Sequence, residues 1–546
     1  MRNLLLAASL LASASACDSG PAPLPDPPIL KVTSPARSLI QNGAAKVTVT
    51  GTVAPNPAGV PISKVMVNNV ATTVGADGSF TTQVDVKPGA LLIHTEAVDQ
   101  AGGKATDTRS VEAGMLRAPG ANIESAITTA LSKEAFAKIA GAAGPLIKAM
   151  DLKPMIAPMQ PMVHSGDESG PDCLYGQLFI EDVKMTNAII SLVPVNGGLQ
   201  FSAEIDGLDV PGHMNYAVAC LDGSNTTRVQ ASKVVVGGTL MVSPDGMNGF
   251  ATDLANPTIQ LTGLNISASG VPGAILSIIP LDSAIQFILP KVAGMVMKPM
   301  MNQALGALGG PKQLNILGKT LTVQVTPADI SFTSTGGLVT LDMQMLLGGA
   351  EHSKGFIFTD NGMPNMNPGT GLQLGIADDL ANEMLSQAVA VGMFNLSMPA
   401  NAGTFDSTKV EMTSPPMISA DPADGKMRLI LPDMSATFMQ QGAPVGHAAI
   451  NVKLDVNIAP ASGGFGIALQ LGTPEIHVDV LDDIANGTLF TNDDLSTAVE
   501  LCLDDQIKSM TALLGGIPLP AMAGLQMKDM SVSADEGYVM VKGALQ

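Results

Sequence analysis

Gly371–Met398 reads GLQLGIADDLANEMLSQAVAVGMFNLSM, and its pattern changes period twice. Leu372, Leu374 and Ile376 alternate with other residues, which predicts a strand with one buried face. Asp378 and Asp379 then stand where the first turn of a helix favours carboxylates, because its free N–H groups and dipole welcome negative charge. Leu380, Met384, Ala388 and Val391 recur at helical spacing, which predicts one apolar stripe along a helix. Gly392 follows as a C-terminal stop, since it has no Cβ to resist positive φ. Alternation resumes at Phe394, Leu396 and Met398. The stretch is strand, amphipathic helix, strand, with the helix stripe facing the apolar side of the strands.

Working outward, the chain has 546 residues, room for roughly three or four domains. Its apolar fraction is aliphatic, with 32 Met, no Trp and only 3% aromatics, so its interior is filled by adaptable side chains rather than rigid rings. A net charge of −20 argues against nucleic acid, whose phosphates call for clustered Lys and Arg, and against a polybasic grip on anionic lipid.

The first residues read as an export signal. Arg2 supplies a positive start, Leu4–Leu11 an apolar run, and Ala14-Ser15-Ala16-Cys17 a cleavage site. The site resembles a bacterial lipobox, in which Cys17 carries the lipid anchor, although Ala14 stands where Leu is usual and an ordinary signal peptidase site also fits. Residues 1–16 are then the signal peptide, and the Pro-rich residues 17–28 a tether. Of the other cysteines, Cys173 and Cys220 share one β-rich region and are the expected disulfide, which leaves Cys502 free. Val271–Met301, the most apolar later stretch, is broken by Pro280, Asp282, Pro290, Lys291 and Pro299. No uncharged run in it reaches the ~18 residues a membrane span needs.

Residues 29–114 read as short strands and turns, the pattern of a small β-sandwich. The run GADGSFTTQVDVKPGALLIHTEAVDQAGGKATDTRSV, with its DGSF step and closing AVDQAG turn, resembles bacterial immunoglobulin-like modules, which implies a spacer or adhesion role, with the spacer preferred. Asp77 and Asp99 suit turns as well as calcium. Ala121–Ala149 is expected to be helical, with Ile123, Ile127, Leu131 and Ile139 as its stripe and Pro145 closing or kinking it. Pro154–Met162 holds too many Pro for a helix and is expected to be an extended loop. Alternating strands fill residues 173–270, and an apolar helical segment follows. The second half repeats this plan loosely, and its last helix carries Leu495, Val499 and Leu503 on one face.

Two stretches carry a family resemblance. Gly371–Met398 resembles the strand–helix–strand unit of the lipopolysaccharide-binding and bactericidal/permeability-increasing proteins. Gly515–Leu545, GGIPLPAMAGLQMKDMSVSADEGYVMVKGAL, is similar to that family's C-terminal end. The resemblance covers about residues 115–546, and Cys173 and Cys220 lie where the family's first barrel has its disulfide. It implies an α+β fold: two end-to-end barrels of strongly twisted antiparallel sheet, each wrapped round a long amphipathic helix. With the N-terminal all-β immunoglobulin-like sandwich over 29–114, the barrels would span 115–325 and 326–546. It also implies apolar pockets for acyl chains, lined by Ile123, Ile127, Leu131, Leu380, Met384, Ala388, Val391, Leu495, Val499 and Leu503. The family's cationic tip has no counterpart here, so phospholipid, fatty acid or neutral lipid is expected rather than endotoxin.

Catalytic signatures are missing from the sequence: there is no GxSxG, HExxH, Walker or dinucleotide-binding pattern, and no cofactor or metal is implied. The Asp pairs suit helix starts and solubility. The expectation is a non-enzymatic lipid-binding or lipid-transfer lipoprotein of the outer membrane or cell surface, with inner-membrane retention as a variant and the N-terminal lipid as its membrane contact. The alternative is a surface adhesion or structural lipoprotein with closed barrel cores.

Overall fold

The structure is a computed structural model that describes residues 26–149, 151–170, 173–246, 248–279, 310–316, 318–392, 397–398, 406–421, 426–460, 466–483, 517–518, 527–535 and 537–545. The chain divides into a small unit, built mainly from residues 45–86 and 91–111, and a large one that holds residues 112–546.

The small unit consists of two antiparallel sheets. Three strands, Ile29–Ser34, Ala45–Ala54 and Ser79–Val86, form one; five, including Ile62–Val67, Gly89–Asp99 and Lys104–Ala113, form the other. Val47, Val49 and Val53 are buried in the first sheet and Val65, Val67, Ile93 and Ala97 in the second, each at the alternate spacing that one-sided burial demands. Asp77 Oδ1 accepts from the Ser79 N–H at 3.1 Å, and Asp99 Oδ1 from those of Ala101 and Gly103 at 2.9 and 2.8 Å. Both are turn residues, and no metal-holding cluster occurs among the described residues.

In the large unit, β1 (Ile123–Ser132) leads into α1 (Lys133–Ala149). Then come β2 (Tyr175–Ile180), β3 (Asn187–Val195), β4 (Gly198–Val218), β5 (Leu221–Pro244), β6 (Phe250–Thr262) and β7 (Asn265–Ser267). After the short helix Gly273–Ile278, the chain continues through β8 (Lys319–Thr333), β9 (Gly336–Leu347), β10 (Leu372–Ala377) and α2 (Asp378–Ala390). β11 (Ser407–Glu411), β12 (Met417–Asp421), β13 (Lys426–Gln440), β14 (Ala443–Pro460), β15 (Gly466–Leu471), β16 (Glu475–Asp483), β17 (Met527–Asp535) and β18 (Tyr538–Leu545) follow.

These strands obey one plan twice. β4 pairs with β3 along its first half and β2 along its second; β5 pairs with β7 early and β6 late. Likewise β13 pairs with β12 and then β11, and β14 with β16 and then β15. A middle sheet joins the repeats in the order β8-β9-β1-β10-β18-β17, extended beyond β8 by Gly310–Ile316. Its centre is the antiparallel pair β1 and β10, each the strand that opens a repeat. β5, at 24 residues, would stretch roughly 80 Å if straight, so the inherent twist of paired strands curls it.

Both curled sheets change their buried side partway along. In β4 the inward residues are Leu199, Phe201 and Ala203, and beyond Gly207 they become Leu208, Gly212 and Met214. Gly207 has φ +61°, a conformation that costs an L side chain about 1 kcal/mol or more. In β13 the set Met427, Leu429 and Leu431 gives way to Met434, Ala436 and Phe438 across a bulge at Asp433, with φ +36°. Asn451 holds that bulge, accepting from the Asp433 N–H at 2.7 Å and donating to its carboxylate at 3.0 Å.

Three expectations need correction. Ile123, Ile127 and Leu131 lie on β1 and not on a helix; the helix starts only at Lys133 and carries Pro145 inside it. A spacing of four serves period 2 as well as period 3.6, and the β-branched residues of IESAITTALS decide for the strand. The boundary at 325/326 falls inside β8, and the middle sheet takes strands from both expected halves. The described residues form two curled sheets and a shared middle one; most of the apolar helical segment expected after residue 270, and the expected last helix with Leu495, Val499 and Leu503, lie outside them. Pro154–Met162 is also more ordered than an extended loop: Lys153–Ile156 makes one helical turn with Pro154 in its first positions, where its missing N–H costs nothing.

Candidate functional site

The stretch that opens the sequence reading folds as strand and helix, β10 and α2, and Gly392 follows at φ +82°. The side of α2 that is most deeply buried, however, is polar. Asn382, Glu383 and Gln387 are each no more than 1% exposed, and Asp378 and Asp379 only 2%. Asp379 Oδ1 accepts from the N–H and hydroxyl of Thr359 at 3.0 and 3.2 Å. Asn382 Oδ1 accepts from the Ile418 N–H at 2.7 Å. Glu383 Oε1 accepts from Gly120 N–H at 2.7 Å and from Gln387 Nε2 at 3.0 Å. Ser386 donates to the Gly355 carbonyl at 2.5 Å. Gln387 accepts from Leu347 N–H at 2.6 Å and donates to the Met345 carbonyl at 2.9 Å.

Five side chains of α2 thus satisfy the backbone of five neighbouring segments, buried or partly buried, where an unmade hydrogen bond is costly. Burial pushes Glu383 up to about 8, its hydrogen bonds from Gly120 and Gln387 opposing this. Asp379 is pushed up to about 6 by burial, against the bonds from Thr359 and Asn382. Tyr538 is raised as well, first by burial and then by Asp379 and Asp378; its hydroxyl donates to the Gly362 carbonyl at 2.6 Å. The Asp pair therefore stands in the first turn of the helix, as the sequence suggests, but is internal rather than solvated.

Of the residues expected to line lipid pockets, Leu380 and Ala388 are 9% exposed and Met384 and Val391 are partly buried against the main core. Ile123 and Leu131 are fully buried on β1, and Ile127 is partly buried. Leu495, Val499 and Leu503 lie outside the described residues, as do Cys17 and Cys502. Cys173 and Cys220 are joined by a disulfide at the β4–β5 turn.

A second apolar cluster, separate from the main core, lies at the far end of the first curled sheet. Leu178 of β2 and Met214 of β4 meet Val271, Ile275 and Ile279, and Val163, Leu174, Tyr216 and Val218 are only partly covered around them. Ile275 and Ile279 are fully buried while Leu276, one residue away on the helix Gly273–Ile278, is 37% exposed. Gly176 makes the seat: a Cβ there would come within 2.7 Å of Ile279 Cδ1 and 3.0 Å of Ile275 Cγ2. The alternation of β2 and β4 could have flagged this cluster in the sequence. The choice of Gly176 gave no such signal, because it depends on what lies across from it.

Two adjoining cavities open at the C-terminal end of α2. The outer, about 500 Å³, is lined by Lys354, Val389, Val410, Glu411, Thr413 and Ser435, together with Met412. The inner, about 170 Å³, shares Lys354, Val389 and Met412 and adds Ala390, Pro415 and Ser414 among others.

The fold and these sites define a two-sheet immunoglobulin-like module followed by an internally duplicated, mostly β unit with buried aliphatic clusters. The family model described as glucodextranase, domain B, matches residues 28–115. No curated protein matches the chain. Among solved structures, lipopolysaccharide binding protein aligns over 79% of this chain and 99% of its own, at 14% identity and a TM-score of 0.35. Rhamnogalacturonan lyase YesW aligns over 82% and 61%, at 8% identity and a TM-score of 0.10. At such TM-scores neither likeness bears on what this chain does.

Proposed function

We propose that the chain is a non-enzymatic lipid-binding or lipid-transfer protein, tethered to an envelope membrane through Cys17 and spaced from it by the immunoglobulin-like module. The observation that carries the reading is the separate aliphatic cluster under Gly273–Ile278, where a short, mostly apolar segment fills the end of a curled sheet. Such a seat offers an acyl chain the same surroundings that it offers Ile275 and Ile279. The magnitude favours a carrier of this kind: at about 0.8 kcal/mol per methylene, a sixteen-carbon chain exposed to water costs on the order of 12 kcal/mol. A lining as apolar as the bilayer removes most of that cost and leaves extraction and delivery nearly balanced.

Native mass spectrometry and organic extraction of the purified full chain test this. Co-purifying lipid, or saturable uptake of a fluorescent fatty acid or phospholipid, is expected. Gly176→Leu, which crowds the seat, should reduce that uptake. A chain that carries no lipid and takes up neither probe overturns the proposal.

A further inference from the structure

We propose that the paired cavities at the end of α2 are a second binding site, for a small anionic amphiphile: a carboxylate on an aliphatic chain of about eight carbons. The two cavities differ in character. The outer one is walled largely by polar groups, Lys354, Glu411, Thr413 and Ser435. The inner one is walled mainly by Val389, Ala390, Met412 and Pro415. Lys354, Val389 and Met412 belong to both, so a single molecule can lie across the junction with its head outside and its tail inside.

Charge selects the head group. Lys354 Nζ donates one long bond, 3.4 Å, to the Thr413 carbonyl, and an ammonium carries three donors. Glu411, the carboxylate in the same wall, is paired with Lys409 at 2.6 Å. The lining of the mouth therefore holds one ammonium and one carboxylate, and because that carboxylate is already paired with Lys409 outside the lining, Lys354 is the charge left to meet an anion, on a chain whose net charge is −20. An anion meets repulsion over most of this protein and attraction here. Size selects the tail: at about 30 Å³ per water-sized group, 170 Å³ holds roughly five or six heavy atoms. His352, Ser353, Ser386 and Ser414 add polar points around that tail without closing the cavity.

The site shares no residue with the cluster under Gly273–Ile278, so it stands or falls apart from long-chain lipid carriage. Calorimetric titration of the full chain with octanoate, octanol and acetate tests it. Octanoate should bind, with acetate at least about tenfold weaker because it leaves the inner cavity empty. Lys354→Ala should weaken octanoate about fivefold to tenfold and leave octanol unchanged. Ala390→Leu should weaken octanoate and octanol together, and Lys354→Ala alone decides if that variant does not fold. Lipid extracted from Lys354→Ala should match the parent chain, which separates this site from the carrier role. No octanoate binding, equal binding of acetate, or octanoate affinity untouched by Lys354→Ala overturns the proposal.

Discussion

Glu383 sits in a sequence, ADDLANEMLSQA, that reads as an ordinary amphipathic helix. Nothing in it separates Glu383 from a solvated glutamate, because its partners are Gly120, far away in the chain, and Gln387, itself held by the 345–347 backbone. Its chemistry makes a testable demand on pH. The folded-state value near 8 lies above the ordinary 4.5, so folding favours the protonated carboxyl. That contribution is complete below about pH 4.5, declines as pH rises towards 8, and is gone above it. At about 1.36 kcal/mol per pH unit between the two values, it amounts to roughly 5 kcal/mol. Asp379, raised to about 6, acts in the same sense over a narrower window. Urea midpoints for the parent chain should therefore fall from pH 5 to pH 8, and Glu383→Gln should flatten most of that decline. An unchanged slope in the variant would show that Glu383 is ionised throughout.

At the level of elements, α2 and β10 were legible because two periods meet at an Asp pair, whereas β1 was misread because its apolar residues fall four apart. Spacing alone cannot tell a strand from a helix at that interval; the Thr and Ile content can. Also hidden were the close approaches. A Cβ on Gly144 of α1 would lie 2.2 Å from the Ala188 carbonyl oxygen of β3, so the helix rests on that strand only because position 144 is bare. Gly144→Val should cost about 2–3 kcal/mol by lifting α1, read as a lower thermal midpoint with α1 amides losing exchange protection. The Cys173–Cys220 bond closes a loop with a sequence separation of 47, and the chain-entropy view assigns it about 4 kcal/mol. Reduction, or Cys173→Ala with Cys220→Ala, should destabilise β4 and β5 by up to that amount while the immunoglobulin-like module melts as before. A midpoint insensitive to reductant would rule out a structural role.

Across the whole molecule, the sequence showed repetition of a plan and left its junction hidden. Hydrophobic alternation tells which residues pair with a sheet but not which strand they pair with, and β1 takes β9 and β10 as its neighbours. The large unit should therefore not divide at 325/326. Expressed alone, residues 112–325 leave β1 without either partner, and circular dichroism should show no cooperative unfolding transition. A sharp, reversible melt of that fragment would prove the first repeat self-sufficient.

The position of β1 also sets an order of events in the life of the chain. Strand β1 leaves the ribosome early, yet Val339 and Leu341, which flank it, come roughly 200 residues later, an interval of some 10–40 s at ordinary synthesis rates. For that time an apolar strand with two open edges waits without its neighbours, a template for pairing with any other chain. A chain built in this way gains from staying unfolded until its last third has been made. Delay before folding is the condition that export across a membrane imposes.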